Sequence, residues 1–124
     1  MPVVPDKYRG SKVYLLTYSE LIAAARRRGT VTYQEIAKIA GLPLSGNYMG
    51  REVGYLIGEI SEDEHVNGRP MLSAIVVNTQ GKPGPGFFSL ARDLGKLQDD
   101  TPEGEHRFWE KEKAAVYATW QKEL

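Results

Sequence analysis

The fold is constrained most by a helix-breaking stretch at residues 41–46, which separates two segments with helical apolar spacing. Pro43 disfavours helical backbone in the residue before it, and Gly46 is free to turn. Upstream of the break, Thr32 and Glu35 have the Thr-x-x-Glu spacing of a capping box, in which each side chain satisfies the backbone N–H of the other residue. The sequence therefore predicts a short helix that starts after Thr32 and stops at the break.

Downstream of the break, we expect a longer helix over residues 47–60, capped by Asn47. Its apolar residues recur at helical spacing, and they are Met49, Val53, Leu56, Ile57 and Ile60. The other face carries Tyr48, Arg51, Glu52, Tyr55, Gly58 and Glu59. Glycines 50, 54 and 58 form a ridge that lets another backbone come close. Two helices joined by such a turn are typical of helix-turn-helix proteins, whose second helix lies in a groove of DNA.

The bulk properties restrict the class of protein. A chain of 124 residues is long enough for one domain with a real core. It has no cysteine, which excludes disulfides, thiol catalysis and a thiolate metal site. His65 stands alone without a ligand partner at useful spacing, so we expect no metal and no cofactor. No apolar run approaches the length of a membrane span or signal peptide, and we expect a cytoplasmic protein with no membrane contact.

Charge is distributed unevenly, although the formal net charge is zero. Residues 1–58 hold eight basic and four acidic side chains, and residues 59–124 hold eight and twelve. The cluster Arg26, Arg27 and Arg28 ends a predicted helix that starts at Thr17 or Ser19. Cations in a last turn complement the helix dipole, which is reason enough for them, and contact with phosphates is the functional alternative.

The second half of the chain predicts a small β element followed by helices. We expect an acidic surface loop at residues 61–69, a strand at 70–78, and a glycine- and proline-rich loop at 79–86. Phe87 and Phe88 are predicted to begin a return strand, which would make a hairpin "wing" with Lys82 at its tip. A short helix capped by Ser89 and a C-terminal helix over 105–122 follow. In the latter, Trp109, Val116, Tyr117 and Trp120 form a stripe typical of core packing.

These elements together predict an α+β fold. The expected architecture is a single winged-helix-like domain with a helix-turn-helix, a β-hairpin wing and an extra C-terminal helix. The winged-helix core would span about residues 13–97, and the extra helix about 105–122. Residues 13–16 are compatible either with a short strand or with the lead-in to the first helix.

Three motifs lie within residues 17–88. The first is Gly-Thr-Val-Thr-Tyr-Gln-Glu-Ile-Ala with Ala-Gly-Leu-Pro shortly after it, starting at Gly29. The second is Gly-Arg-Glu-Val-Gly from Gly50, and the third is Val-Val-Asn-Thr-Gln-Gly from Val76, followed by Pro-Gly-Phe. Together they resemble the DNA-binding domain of the O6-alkylguanine-DNA alkyltransferases and of their non-enzymatic relatives, the alkyltransferase-like proteins.

The resemblance implies roles for two residues. In that family the recognition helix enters the minor groove, a tyrosine rotates a phosphate, and an arginine replaces a base flipped out of the stack. Tyr33 falls on the tyrosine position and Arg51 on the arginine position. A planar, permanently charged guanidinium suits the second role, because it can hydrogen-bond the orphaned base and reduce the cost of extrusion.

The chain departs from the family where the enzymes carry Pro-Cys-His-Arg. Ser73 stands at the position of the cysteine and Ala74 at that of the histidine. A serine hydroxyl without a neighbouring base is a poor nucleophile at neutral pH, so alkyl transfer is not expected. The histidine and arginine that the alkyltransferase-like proteins usually keep are also missing. Residues 61–69 and the C-terminal tryptophan helix have no match in the family.

The sequence thus predicts a non-enzymatic protein that binds double-stranded DNA, with no catalytic residues. The expected DNA contacts are Tyr33, Asn47, Tyr48, Arg51, Tyr55, Arg26, Arg27, Arg28 and Lys82. A pocket for a flipped or modified base would be lined by Ser73, Ala74, Pro85 and Phe87. The main alternative is a protein-interaction or regulatory module on the same scaffold without DNA binding. A third is a hydrolase or transferase that uses Ser73 as nucleophile.

Overall fold

The computed structural model describes residues 6–121, and this part of the chain holds five α-helices, a 3-10 helix and two very short strands. In chain order the elements are α1 (Lys12–Arg26), β1 (Val31–Thr32), α2 (Tyr33–Ala40), α3 (Gly46–Val66), the 3-10 helix (Leu72–Ile75), β2 (Val76–Val77), α4 (Pro85–Asp93) and α5 (Pro102–Trp120). The arrangement is a mostly helical α+β fold. None of the helices in residues 6–121 combines the length and apolarity that crossing a membrane requires.

The first helix starts earlier than the sequence predicted. α1 begins at Lys12, and the hydroxyl of Ser11 caps it by accepting a hydrogen bond from the Tyr14 backbone N–H. The predicted caps Thr17 and Ser19 are therefore wrong, because both lie inside the helix. Residues 13–16 form its first turns and not a strand. α1 ends at Arg26, so Arg27 and Arg28 lie beyond its last turn.

The capping box of α2 is confirmed. Thr32 accepts a hydrogen bond from the Glu35 backbone N–H at 3.1 Å, and the Glu35 side chain reaches back to the Thr32 N–H at 3.4 Å. Gly41 ends the helix with a φ of 70°, a left-handed conformation that favours glycine. Local chemistry alone therefore fixes both ends of α2.

The apolar stripe of α3 is confirmed as the centre of the core, but the predicted bounds of the helix are wrong. Met49, Val53, Leu56, Ile57 and Ile60 are all buried. The helix begins at Gly46 with Ser45 at the cap position, so Asn47 is not the cap, and it continues to Val66.

The acidic surface loop predicted over residues 61–69 is also wrong. Residues 61–66 continue α3, and the side chains of Ser61, Glu62 and Glu64 are buried. A helix tolerates carboxylates on a packed face only when they have partners. Here the partners of Glu62, Asp63 and Glu64 come from Arg9 and α1 on one side and from Arg69 on the other.

The β element differs most from expectation. Only Val76 and Val77 of the predicted strand form a β-strand, and they pair in parallel with Val31 and Thr32. The predicted return strand is wrong because Phe87 and Phe88 lie in α4. Pro85 occupies its first turn, where a residue without an N–H is well suited, so the predicted Ser89 cap is wrong too. Residues 70–88 therefore form no β-hairpin wing.

The last helix closes one side of the core. α5 begins at Pro102 and is capped by Thr101, whose hydroxyl accepts from the Gly104 N–H at 3.0 Å. Its predicted stripe is confirmed as packing: Trp109, Val116 and Tyr117 are buried, and Trp120 is half-buried. The helix ends at Trp120, and residue 122 of the predicted helix lies outside the described residues.

Candidate functional site

A pocket of about 360 Å³ opens beside the first half of α3. One wall is the α3 surface with Arg51 and Tyr55, where Gly50, Gly54 and Gly58 add no side chains. The opposite walls come from Tyr33 at the start of α2 and from Phe87 in α4. The size lies within the range of about 300–1,000 Å³ that small-molecule sites usually show.

The pocket brings together residues that the sequence singled out separately. Tyr33, Arg51 and Tyr55 were predicted to contact DNA, and Ser73 and Phe87 were predicted to line a base pocket; all five line this one. The other two predicted pocket residues are wrong. Ala74 is fully buried and its carbonyl accepts the Trp109 indole N–H at 2.9 Å, whereas Pro85 is exposed in the first turn of α4.

Arg51 is exposed at the rim. Its side chain keeps 57% of its surface accessible, and the guanidinium lies 5.4 Å from the centroid of the Tyr48 ring. Tyr48 is itself half exposed, and Asn47 is exposed one residue before it. This part of α3 therefore presents a cation on an aromatic support next to an open pocket.

Tyr33 is half-buried at the start of α2. Burial raises the pKa of the Tyr33 hydroxyl, an effect that the Gly84 backbone partly opposes. A Cβ atom added to Gly84 would lie 2.5 Å from the Tyr33 hydroxyl oxygen. The hydroxyl thus lies close to the Gly84 backbone in the loop before α4, and Tyr33 lines the pocket.

Ser73 lies at the buried side of the pocket. Its side chain is hydrogen-bonded to the Ser61 hydroxyl at 2.7 Å, and its backbone N–H donates to the same oxygen at 3.0 Å. A second hydroxyl is not a base that could activate Ser73. The pair fixes the junction between α3 and the 3-10 helix.

Sequence reasoning missed the row of carboxylates on the outer side of α3. Glu52 and Glu59 were assigned to an open face, yet their relative exposures are 2% and 0%. Residues 6–9, which we call the N-terminal arm, cover them. The backbone N–H groups of Lys7, Tyr8 and Arg9 all donate to the Glu59 carboxylate, at 3.3, 2.9 and 2.9 Å.

The arm continues this pairing at both ends of the row. Lys7 Nζ lies 2.7 Å from Glu52 Oε1, and the Tyr8 hydroxyl donates to the same oxygen at 2.5 Å. Arg9 pairs with Glu62 at 2.6 Å and with Asp63 at 3.1 Å. The hydrogen bonds that Glu52 receives, from Lys7 with the larger effect and from Tyr8, hold the pKa of Glu52 below its usual value.

Tyrosines of α1 extend the same network. The hydroxyl of Tyr14 donates to Asp63, and that of Tyr18 donates to Glu64, which also receives two N–H groups of Arg69. Burial and the bond to Glu64 raise the pKa of Tyr18 to about 12. The seven-residue spacing of Glu52 and Glu59 along one helix face was the only sequence signal of this row.

The remaining predicted cations are not part of the pocket lining. Arg26 is exposed, Arg27 pairs with Glu20 at 3.6 Å, and the Arg28 guanidinium lies 5.2 Å from the Tyr117 ring of α5. Lys82 Nζ lies 5.9 Å from the Trp109 ring of the same helix. None of the four is among the residues that line the pocket.

Comparison with known proteins gave no match among family models, curated proteins or solved structures. The resemblance to the alkyltransferase-like proteins therefore stays a prediction, and function has to be inferred from the site itself.

Proposed function

We propose that this chain is a non-enzymatic protein that binds duplex DNA through the first half of α3. The observation that carries the proposal is the exposed guanidinium of Arg51 at the mouth of a pocket of about 360 Å³ with aromatic walls. Arg51 would enter the groove, and the pocket would accept a base turned out of the stack. On this reading α2 and α3 form the helix-turn-helix, and the loop that carries Lys82 takes the place of a wing.

The walls suit a flat, apolar-faced ligand. Tyr33, Tyr55 and Phe87 come from three different elements and surround the same space. Stacking of a base on aromatic side chains is worth about 1–3 kcal/mol, which offsets part of the cost of unstacking. A pocket of this kind beside a cation that can replace the lost base combines the two requirements of base extrusion.

The glycines favour close contact with a nucleic acid strand. A Cβ atom built at Gly50 or Gly54 meets no heavy atom within 4 Å, so these positions face open space and not a packed neighbour. Glycine in a helix interior costs about 0.5–1 kcal/mol relative to alanine. The presence of glycine at these positions despite its cost in helix stability is explained if another backbone has to approach α3 at this ridge.

A catalytic role is not part of the proposal. The Ser73 hydroxyl is paired with the Ser61 hydroxyl, an arrangement that supplies no general base.

Arg51→Ala is the test. Fluorescence anisotropy would follow binding to short duplexes with plain, methylated, alkylated or mismatched bases at fixed low salt. Arg107→Ala is the matched control, because Arg107 is exposed at 72% and pairs only loosely with Asp99 at 3.5 Å. We expect Arg51→Ala to weaken binding by about tenfold or more, as loss of a charge-assisted contact would, and Arg107→Ala to have little effect.

Salt dependence separates this function from the alternative of a protein-interaction module. Binding through several phosphates weakens steeply as salt rises, because releasing condensed counterions into a more concentrated salt solution gains less entropy. Equal affinities of the two variants, or no measurable binding by the wild type to any duplex, would refute the proposal.

A further inference from the structure

Three side chains compete for one buried carboxylate beneath the proposed DNA-binding surface. Glu52 keeps only 3% of its side chain accessible. Lys7 Nζ lies 2.7 Å from Oε1 and 2.9 Å from Oε2, and the Tyr8 hydroxyl donates to Oε1 at 2.5 Å. The Nε atom of Arg51 lies 3.7 Å from Oε2. Glu52 therefore has two hydrogen-bond donors from the N-terminal arm and one more distant cation from its own helix.

The distances show which cation the carboxylate holds. Contacts of 2.7–2.9 Å are charge-assisted hydrogen bonds, whereas 3.7 Å is too long for a hydrogen bond and leaves only an electrostatic attraction. Lys7 thus satisfies Glu52, and Arg51 stays largely exposed over the Tyr48 ring.

We propose that Lys7 is a positioning residue for Arg51. By occupying Glu52, it prevents the neighbouring guanidinium from folding down onto that carboxylate. The guanidinium then stays at the mouth of the pocket, where it is available to DNA. This inference rests on the proposed function. Its first step, that Lys7 keeps Arg51 away from Glu52, concerns the protein without DNA and can be tested there.

The physical reason is the cost of an unpaired buried charge. A buried carboxylate that loses its cation is strongly destabilised, so it recruits the nearest replacement. Arg51 is adjacent in sequence and already within 3.7 Å, and its flexible side chain can reach a carboxylate with two N–H groups. Removal of Lys7 therefore converts the long 3.7 Å contact of Arg51 with Glu52 into a hydrogen-bonded ion pair.

A direct contact between Lys7 and a DNA phosphate is the competing explanation, and a rescue separates the two. In Lys7→Ala, Glu52 captures Arg51 and affinity for duplex DNA falls. In the double variant Lys7→Ala, Glu52→Gln there is no charge to capture Arg51, and affinity returns. If Lys7 itself contacted DNA, the double variant would stay as weak as Lys7→Ala.

The experiment compares wild type, Lys7→Ala, Glu52→Gln and the double variant by anisotropy with one duplex at fixed low salt. Lys12→Ala, an exposed lysine at the start of α1, is the charge-matched control. Thermal unfolding of each variant confirms that it is folded. We expect Lys7→Ala to bind about two- to fivefold more weakly, a smaller loss than for Arg51→Ala because the captured guanidinium can still leave Glu52 for DNA, and the double variant to bind like wild type.

The NMR signal of the Arg51 Nε–Hε group in the DNA-free protein gives a second, independent readout. It should shift in Lys7→Ala and return in the double variant. An unchanged signal in Lys7→Ala, or a double variant without recovery of affinity, would overturn the inference. If wild type binds no duplex, the proposed function fails, and this signal alone still decides whether Lys7 keeps Glu52 from Arg51.

Discussion

The backbone N–H of Tyr8 donates to both carboxylate oxygens of Glu59, at 2.9 and 3.0 Å, across 51 positions of sequence. The neighbouring N–H groups of Lys7 and Arg9 point to the same carboxylate. One fully buried side chain of α3 therefore orders the whole N-terminal arm, and the arm in turn carries the cation that reaches Glu52.

Glu59→Ala should be strongly destabilising. The change leaves three backbone N–H groups of the arm without their acceptor and opens a cavity beside α3. Each unsatisfied group costs about 1–3 kcal/mol when it stays buried, but part of the arm can detach into water, so we expect a loss of about 3 kcal/mol in the free energy of unfolding. Urea denaturation followed by circular dichroism measures it.

Glu110→Ala is the control for that measurement, because the Glu110 side chain is 50% exposed and pairs with Lys113 at the long distance of 3.4 Å. Its expected cost is below about 1 kcal/mol. Similar losses for the two variants would contradict the role assigned to Glu59.

We expect the folded state to lose stability in acid as Glu52 becomes protonated. Hydrogen bonds from Lys7 and Tyr8 lower the pKa of Glu52 in the folded state. Its stabilising contribution is therefore complete above the unfolded pKa of about 4.3 and is lost as pH falls through the lower folded value. Urea midpoints measured over this acidic range should fall less steeply for Glu52→Gln than for wild type, and parallel curves would count against the ion pair.

We expect the folded state to lose stability in alkali through the ionisation of Tyr18. Burial first, and the hydrogen bond to Glu64 next, raise the pKa of Tyr18 to about 12. A raised pKa means that the contribution is complete below the unfolded value of about 10 and is lost as pH rises from there through the folded value. Tyr18→Phe cannot ionise, so its stability should change less over this range.

Tyr48→Phe, on the exposed start of α3, serves as the control for Tyr18→Phe. Its alkaline unfolding should follow wild type. The hypothesis fails if Tyr18→Phe loses stability between about pH 10 and 12 as steeply as the wild type does.

Gly54→Ala should separate stability from binding. Space for a Cβ is open at this helical position, so the change should stabilise the fold by about 0.5–1 kcal/mol. If DNA packs against the glycine ridge, the added methyl group should nevertheless reduce affinity for duplex DNA. Thermal unfolding and anisotropy on the same sample test both parts, and a more stable variant with unchanged affinity would argue against close contact at α3.

Local sequence rules predicted the elements whose causes are local. The capping box of Thr32 and Glu35 and the left-handed stop at Gly41 depend on residues within one or two helical turns, and both were found. The buried stripe of α3 depends on periodicity within one helix and was also found. Of the residues that line the pocket, five were named from the sequence: Tyr33, Arg51, Tyr55, Ser73 and Phe87. Arg51 and Tyr55 came from the face of α3 opposite its apolar stripe, and the others came from motif positions in the family resemblance.

The errors concern features with distant causes. Residues 61–66 read as an acidic loop because a run of carboxylates usually faces water. The partners that allow Glu62 and Glu64 to be buried, and that pair with Asp63, are Arg9, Tyr14 and Tyr18, about 50 positions earlier. The parallel pairing of Val31 with Val76 likewise joins segments far apart in sequence, and no local pattern distinguishes it from a hairpin.

Side chains of α5 form hydrogen bonds with three backbone groups that precede the helix in the chain. Glu112 accepts the Met71 N–H, Trp109 donates to the Ala74 carbonyl, and Tyr117 donates to the Gly29 carbonyl. A fragment truncated before α5 would leave all three groups without these partners and uncover the apolar surface around Val116. We therefore expect such a fragment to be less stable than one that extends through Tyr117.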